Sequence, residues 1–223
     1  MDEVTITYLK HAFFSISDKK YSILIDPYNN IGSLVPPDYK SPDILLITHE
    51  HQDHNNRKYA GDKTYIIDHP GEYDINDIFV KGINTYHDAN KGNDRGFNTV
   101  FSIKFDGINF VHLGDLGDAL SKSQIEEIGI VNVLFIPVGG HFTIDAKTAK
   151  NIIKDINPYI VIPMHYKIDE IDYPLSPLSE FLDVYDGIIE YTDKLVLRDS
   201  NFGDDFETKV IVFNNEKNST SKS

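Results

Sequence analysis

Cysteine is absent from all 223 residues. That excludes a disulfide framework and any thiolate metal site, so a metal bound here has only nitrogen and oxygen ligands to draw on. Long apolar runs are absent as well: nothing approaches the roughly 18 consecutive apolar residues of a membrane-spanning helix. Met1 to Lys10 holds neither a basic segment nor an apolar one of the secretory kind, and a cytoplasmic protein is the expectation. Positive charge is scarce, with 21 Lys and Arg against 35 Asp and Glu and a formal net charge of −14. Such a surface repels phosphate backbones and anionic lipid, which argues against membranes and long nucleic acid as partners. A bound cation can reverse the field locally, so a small anionic molecule stays admissible.

What is present suits a folded domain: 40 % apolar residues, 25 % charged, and length for one sizeable core. A single domain over 1–213 is expected, followed by a disordered polar tail, "NNEKNSTSKS", over 214–223. The first half reads as strands: "VTITYL", "FFSIS", "YSILID", "DILLIT", "TYIID", "IFVKGINTY", "TVFSIKF" and "INFVHL". Asp106–Gly107 between two of these runs predicts a hairpin turn. "DILLIT" is apolar without alternation, as in a strand buried on both faces. Helices come later. "SKSQIEEIG" offers Ser123 as a cap with Glu126 three residues on and Gly129 as a stop. "DAKTAKNIIKDIN" spaces Ala146, Ala149, Ile152, Ile153 and Ile156 along one face behind Asp145. "SPLSEFLDVY" predicts a helix with Ser176 as cap and Pro177 in its first turn. "YIVIP" and "TKVIVF" return to strand. Strands first and alternation afterward favour two sheets with helices on their outer faces, an α/β class.

The run "LLITHEHQDHNN" (45–56) ends the buried strand in His49, His51, Asp53 and His54. Side chains alternate in an extended segment, so His49, His51 and Asp53 share one side, and His54 joins them if the chain turns. From this chain's own frequencies an H-x-H-x-D-H pattern is expected by accident roughly 0.002 times. Nitrogen and carboxylate ligands on one rim suit zinc, iron or manganese. Four such groups exceed one catalytic site with three protein ligands and a water, and two neighbouring metals fit better. Further candidates follow other apolar runs: His87, His112, Asp115, His141 and His165. His11 and His69 read as structural or exposed residues. Arg95 reads as a surface arginine, with contact to an anionic substrate as the alternative, and Tyr166 as an oxyanion donor or a buried tyrosine. Gly139–Gly140 offers backbone N–H groups to an anion.

Taken together, "HAFFSI", "LIDP", "THEHQDH", His87, "HLGDLG", "PVGGHFTID" and "IPMHY" resemble the metallo-β-lactamase superfamily over nearly the whole chain. The closer likeness is to its metal-dependent hydrolases related to ascorbate-6-phosphate lactonase and to the phospholipase D that releases N-acylethanolamines. The resemblance implies an αβ/βα four-layer sandwich with metals at the mouth between the sheets. It implies two divalent ions, zinc in the first place with manganese or iron as alternatives. His49, His51 and His87 would hold one ion, Asp53, His54 and His165 the other, and Asp115 would bridge them. Asp26 would orient a ligand histidine. Asp53, Asp115 and His141 are the catalytic candidates. The implied reaction is hydrolysis of a small ester, lactone or phosphoester by a metal-bridging hydroxide. A nucleotide or nucleic-acid phosphodiesterase and a non-catalytic metal-bound sensor are the competing readings. The partner expected is a small-molecule substrate, with a homo-oligomer possible in principle. Related oxygen-reducing di-iron proteins place a glutamate where this chain has His51, and Glu50 has the wrong parity to replace it. Parity also separates His112 from Asp115. A regular strand sends them to opposite faces and buries His112 with Ile108 and Phe110, unless Gly114 twists the strand end.

Overall fold

The structure, a computed structural model, describes residues 3–203 and 205–214. The expected tail, Asn214 excepted, lies outside the described residues. The first sheet takes β1 (Val4–Tyr8), β2 (Phe14–Ser17), β3 (Ser22–Ile25), β4 (Ile44–Leu46) and β5 (Tyr65–Ile67). The second takes β6 (Gly71–Ile75), β7 (Ile78–Tyr86), β8 (Phe97–Phe105) and β9 (Ile108–His112), joined as antiparallel neighbours. Then come α1 (Lys122–Ile128), β10 (Val133–Pro137), α2 (Ala146–Ile156), β11 (Ile160–Met164) and α3 (Leu178–Val184). The chain finishes with β12 (Ile188–Thr192), β13 (Leu195–Leu197) and β14 (Lys209–Phe213). The six-stranded sheet runs β13-β1-β2-β3-β4-β5 and the eight-stranded sheet β12-β14-β11-β10-β9-β8-β7-β6.

Alternation along the strands explains the layering. Ile23, Ile25, Ile44 and Leu46 from the first sheet meet Phe110, Val133, Phe135 and Ile162 from the second in one apolar cluster, the layer between the sheets. The intervening residues Leu24, Leu45, Val111, Leu134 and Val161 point outward, where Ile128, Ala149, Ile152, Ile153 and Phe181 of the helices join them. The parallel pairs β9–β10 and β10–β11 need crossovers, and α1 and α2 supply them. Among the described residues no helix is long and apolar enough to cross a membrane.

Several local expectations shift. The cap of α1 is Ser121, not Ser123: its hydroxyl accepts from Gln124 N and the Gln124 side chain accepts from Ser121 N, a complete capping box two residues earlier. Pro177, not Ser176, stands at the cap of α3, which has no side-chain cap hydrogen bond; the Ser176 N–H donates to Gly139 O and its carbonyl accepts from Lys167 N. "NNRKYA" forms only a 3₁₀ turn, Arg57–Tyr59, capped by Asn56. The strands β6, β10, β12 and β13 were not foreseen. The hairpin turn is as expected, with Asp106 at φ +50° and Gly107 at +82°.

Candidate metal centre

The residues of the histidine cluster part company at a turn. His54 N–H bonds to His51 O at 3.0 Å, closing a turn over 51–54. His49 and His51 therefore converge with His87, beyond β7. Asp53 and His54 swing away to meet His165, beyond β11, and His11 in the β1–β2 hairpin. Strict alternation grouped Asp53 with His49 and His51, and the turn is what moves it. In each group the possible ligand atoms lie within 4.8 Å of one another.

Asp115 stands between the two groups. Its Oδ2 is 3.3 Å from His87 Nε2, 3.7 Å from His49 Nε2 and 3.2 Å from His165 Nε2, and its Oδ1 is 3.2 Å from His54 Nε2. Gly114, at φ +56°, turns the chain out of β9 so that Asp115 reaches this point. A side chain could not replace it, since a Cβ would lie 2.3 Å from Asn98 Oδ1. That same Asn98 oxygen accepts from Asp115 N at 3.0 Å and fixes the carboxylate's backbone. His11, Asp26 and His165 also adopt left-handed backbone, at φ +59°, +50° and +53°. Non-glycine residues there cost of order 1–3 kcal/mol each, a strain common where side chains must be aimed.

The donor set fits metal. His49 Nε2, His54 Nε2, both ring nitrogens of His165 and Asp115 Oδ1 are buried and, apart from the close approaches to Asp115 itself, make no hydrogen bond. Buried polar atoms are rarely left so. His51 Nδ1 and His87 Nε2 are 3.1 Å apart, close to the roughly 3.4 Å between two nitrogens about 2.1 Å from one tetrahedral ion.

A second tier fixes the tautomers. His54 Nδ1–H donates to Asp26 Oδ2 at 3.0 Å, leaving Nε2 free to face Asp115. The Thr48 hydroxyl donates to the same oxygen at 2.7 Å, so its own oxygen accepts from His49 Nδ1–H at 3.0 Å. One carboxylate thus orients two imidazoles, one of them through Thr48. His112 takes no part. It is wholly buried, its Nε2–H donates to Ala12 O at 3.1 Å, and its Nδ1 accepts from Gly114 N–H at 3.1 Å. Its ring packs with Phe14 and Phe135, in the layer shared by Ile108 and Phe110.

Burial pushes the pKa of His11 down to about 4, with the charge of His165 adding to it. Burial, and then the charge of His54, push His49 down to about 3. Both are neutral at ordinary pH, which for His49 is the state a metal ligand requires. Burial would lower His54 also, but Asp115, Asp53 and Asp26 surround it and raise it well above its usual value. Burial opposes ionisation of Asp115, yet His165 and His54 hold it well below the usual carboxylate range. His54 and His11 do the same for Asp53.

The two groups open on a cavity of about 280 Å³ lined by His51, Gln52, Asp53, His87, Arg95, Asp115, Phe142, His165 and Tyr173. His141 is not in that lining; it is exposed and its ring stands edge-on to Phe142. Gly140 N–H bonds to Ile144 O, so it is not offered to an anion. Tyr166 is buried in the outer apolar cluster, and His69 is exposed beside Asp68. Glu50 points away from the site and pairs with Arg57. His11 was missed in the sequence. It lies 3.3 Å from Asp53 Oδ2 and its carbonyl accepts from His165 N, tying the first hairpin to the far side of the site. Its only signal was its place between two predicted strands, at the head of "HAFFSI".

Residues 5–165 match the model of the β-lactamase superfamily domain, a span that begins before His11 and ends on His165. A UPF0173 metal-dependent hydrolase from Pyrococcus furiosus is 30 % identical over 192 residues, 73 % of this chain and 84 % of that one. Another from Thermoplasma acidophilum is 31 % identical over 191 residues, with shares of 74 % and 84 %. A solved structure from Thermotoga maritima, described as a Zn-dependent hydrolase of the metallo-β-lactamase superfamily, superposes with a TM-score of 0.75 at 31 % identity. That alignment covers 94 % of this chain and 99 % of the other. The chain therefore belongs to the metallo-β-lactamase superfamily, among its metal-dependent hydrolases.

Proposed function

We propose that this chain is a two-metal hydrolase of small esters, lactones or phosphoesters. The reading rests on one observation: Asp115 stands within 3.7 Å of histidines from both groups, with their inward ring nitrogens largely lacking other partners. His49, His51 and His87 would hold one divalent ion, Asp53, His54 and His165 the other, and Asp115 would be shared. Bound ions of this kind, zinc foremost, supply Lewis acidity and water made acidic enough to ionise near neutral pH.

The chain's own groups do the rest. Asp26 and Thr48 keep the Nδ1 protons of His54 and His49 engaged and so present Nε2 inward. His11 holds one oxygen of Asp53, and the residue lines the cavity in its ionised form. It is placed to accept the proton that an attacking water gives up and to return it to the leaving alkoxide oxygen as the ester C–O or P–O bond breaks, so that Asp53 ends ionised again. The small cavity, just under the roughly 300–1,000 Å³ usual for ligand sites, favours a small substrate over a polymer.

The test is a screen of metal-loaded protein against chromogenic esters, lactones and phosphodiesters, with Asp115→Ala as control. Turnover of one class that disappears in Asp115→Ala supports the reading. No turnover of any class by fully loaded protein would favour the sensor reading instead.

A further inference from the structure

The chain has three arginines, and two are neutralised: Arg57 by Glu50 and Asp68, and Arg198 by Glu3. Arg95 has no carboxylate partner among the described residues, in a protein with 35 acidic side chains. Among the described residues it is the one lysine or arginine lining the cavity onto which both ligand groups open. Its guanidinium carbon sits 4.4 Å from the centroid of Phe142, a cation–π contact that holds the group at the rim without consuming its N–H donors. Phe142 is itself braced by the edge of Tyr173, with centroids 5.7 Å apart.

The loop that carries Arg95 is built around one side chain. Asp88, buried and next to His87, accepts backbone N–H groups from Asn90 and Gly92 on one oxygen and from Asp94 and Arg95 on the other, at 2.8–3.1 Å. The backbone of Arg95 is therefore fixed relative to that of His87. A free arginine so placed is suited to grip a carboxylate or phosphate through paired N–H donors.

We propose that Arg95 is a specificity-determining residue, and that the substrate carries an anionic group seated against it while its cleavable bond faces Asp53 and Asp115. The substrate class is an anionic small ester or lactone, its anion a carboxylate or a phosphate. This inference rests on the hydrolase reading above. Phe142 and Tyr173 give that substrate an apolar wall.

The test uses three 4-nitrophenyl esters with the same leaving group: the neutral acetate, the succinate monoester, and a butanoate bearing a terminal phosphate. Metal-loaded wild type, Arg95→Met and Arg95→Lys are compared. Met keeps an unbranched stem over Phe142 and removes the charge. Wild type is expected to favour one anionic ester over the acetate, and the favoured ester tells carboxylate from phosphate. In Arg95→Met that ratio of kcat/KM values should fall about 10- to 100-fold, chiefly through KM, as for loss of a hydrogen bond to a charged group. Arg95→Lys should recover part of it. Hydrolysis without preference for either anion, or an equal loss for all three esters in Arg95→Met, would overturn the proposal and leave the hydrolase reading standing. Failure of wild type to hydrolyse any of the three would overturn the proposal, and the hydrolase reading falls with it only if the lactones and phosphodiesters of the wider screen are left intact as well.

Discussion

Asp26 Oδ2 lies 3.0 Å from Nδ1 of His54, and neither side chain is exposed at all. Asp26 follows β3 and His54 follows β4, so two parallel neighbouring strands deliver the orienting group and the oriented one side by side. Thr48 shares that carboxylate and passes the same control to His49.

Replacing Asp26 by Asn should therefore weaken metal binding although Asp26 itself is no proposed ligand. The amide keeps the volume but lacks the charge that holds both Nδ1 protons. The expected loss is about 10- to 100-fold in metal affinity, read by competition with a chromogenic chelator, with little change in circular dichroism. Unchanged affinity would show that tautomer control from Asp26 is unimportant.

His87 and His112 should behave differently. His87→Ala removes a member of the first group and should lose one ion. His112→Ala should keep both ions and lose about 1–3 kcal/mol of stability in a denaturant titration, because Ala12 O and Gly114 N–H lose a buried partner. Metal loss in His112→Ala with retention in His87→Ala would reverse the assignment.

These two histidines also show what the sequence could and could not reveal. Strand parity sufficed to turn His112 away from Asp115, since β9 runs regularly to His112 and only then does Gly114 bend the chain. Periodicity likewise located the long strands and α2, whose buried face holds three of the expected apolar residues. It failed for β12, whose residues are largely exposed and carry no alternation, and for β10, an unbroken apolar run that periodicity alone cannot classify. His11 failed for a different reason. Its role depends on a hairpin approaching β11 from the other sheet, a contact between residues 154 positions apart that no local pattern encodes. The division of His49 and His51 from Asp53 and His54 depends on one backbone turn, again invisible to alternation.

Gly117 is a third test of how the site is assembled. A Cβ there would lie 2.2 Å from both Asp88 N and the His87 carbonyl carbon, so the backbone bearing His87 would have to move. Gly117→Ala should cost about 1–3 kcal/mol, seen as a lowered Tm of the metal-free protein, and should weaken the first ion more than the second. An unaltered Tm and unaltered metal content would mean that this packing is more yielding than the structure implies.

The metal-free protein should lose stability as pH falls from about 6.5 to about 4. His11 and His49 have folded pKa values near 4 and 3, below the unfolded value of about 6.5, so the unfolded chain binds their protons first. Their contribution is complete above pH 6.5 and is lost on acidification, at about 1–2 kcal/mol per pH unit for each group. His54 is raised, so its contribution is complete below pH 6.5 and does not change across this window. Asp53 and Asp115 are depressed and lose theirs only as pH falls below about 4. Urea midpoints measured at pH 7, 6, 5 and 4 test the sign. A midpoint that holds or rises toward pH 4 would contradict it.

The central claim is that Asp115 is shared by two ions, and metal stoichiometry tests it most directly. Protein purified without chelator, reconstituted with zinc and freed of excess should contain about two zinc per chain by elemental analysis, and Asp115→Ala should contain one or fewer. Wild-type protein that never exceeds one zinc per chain at saturation would contradict the two-metal account.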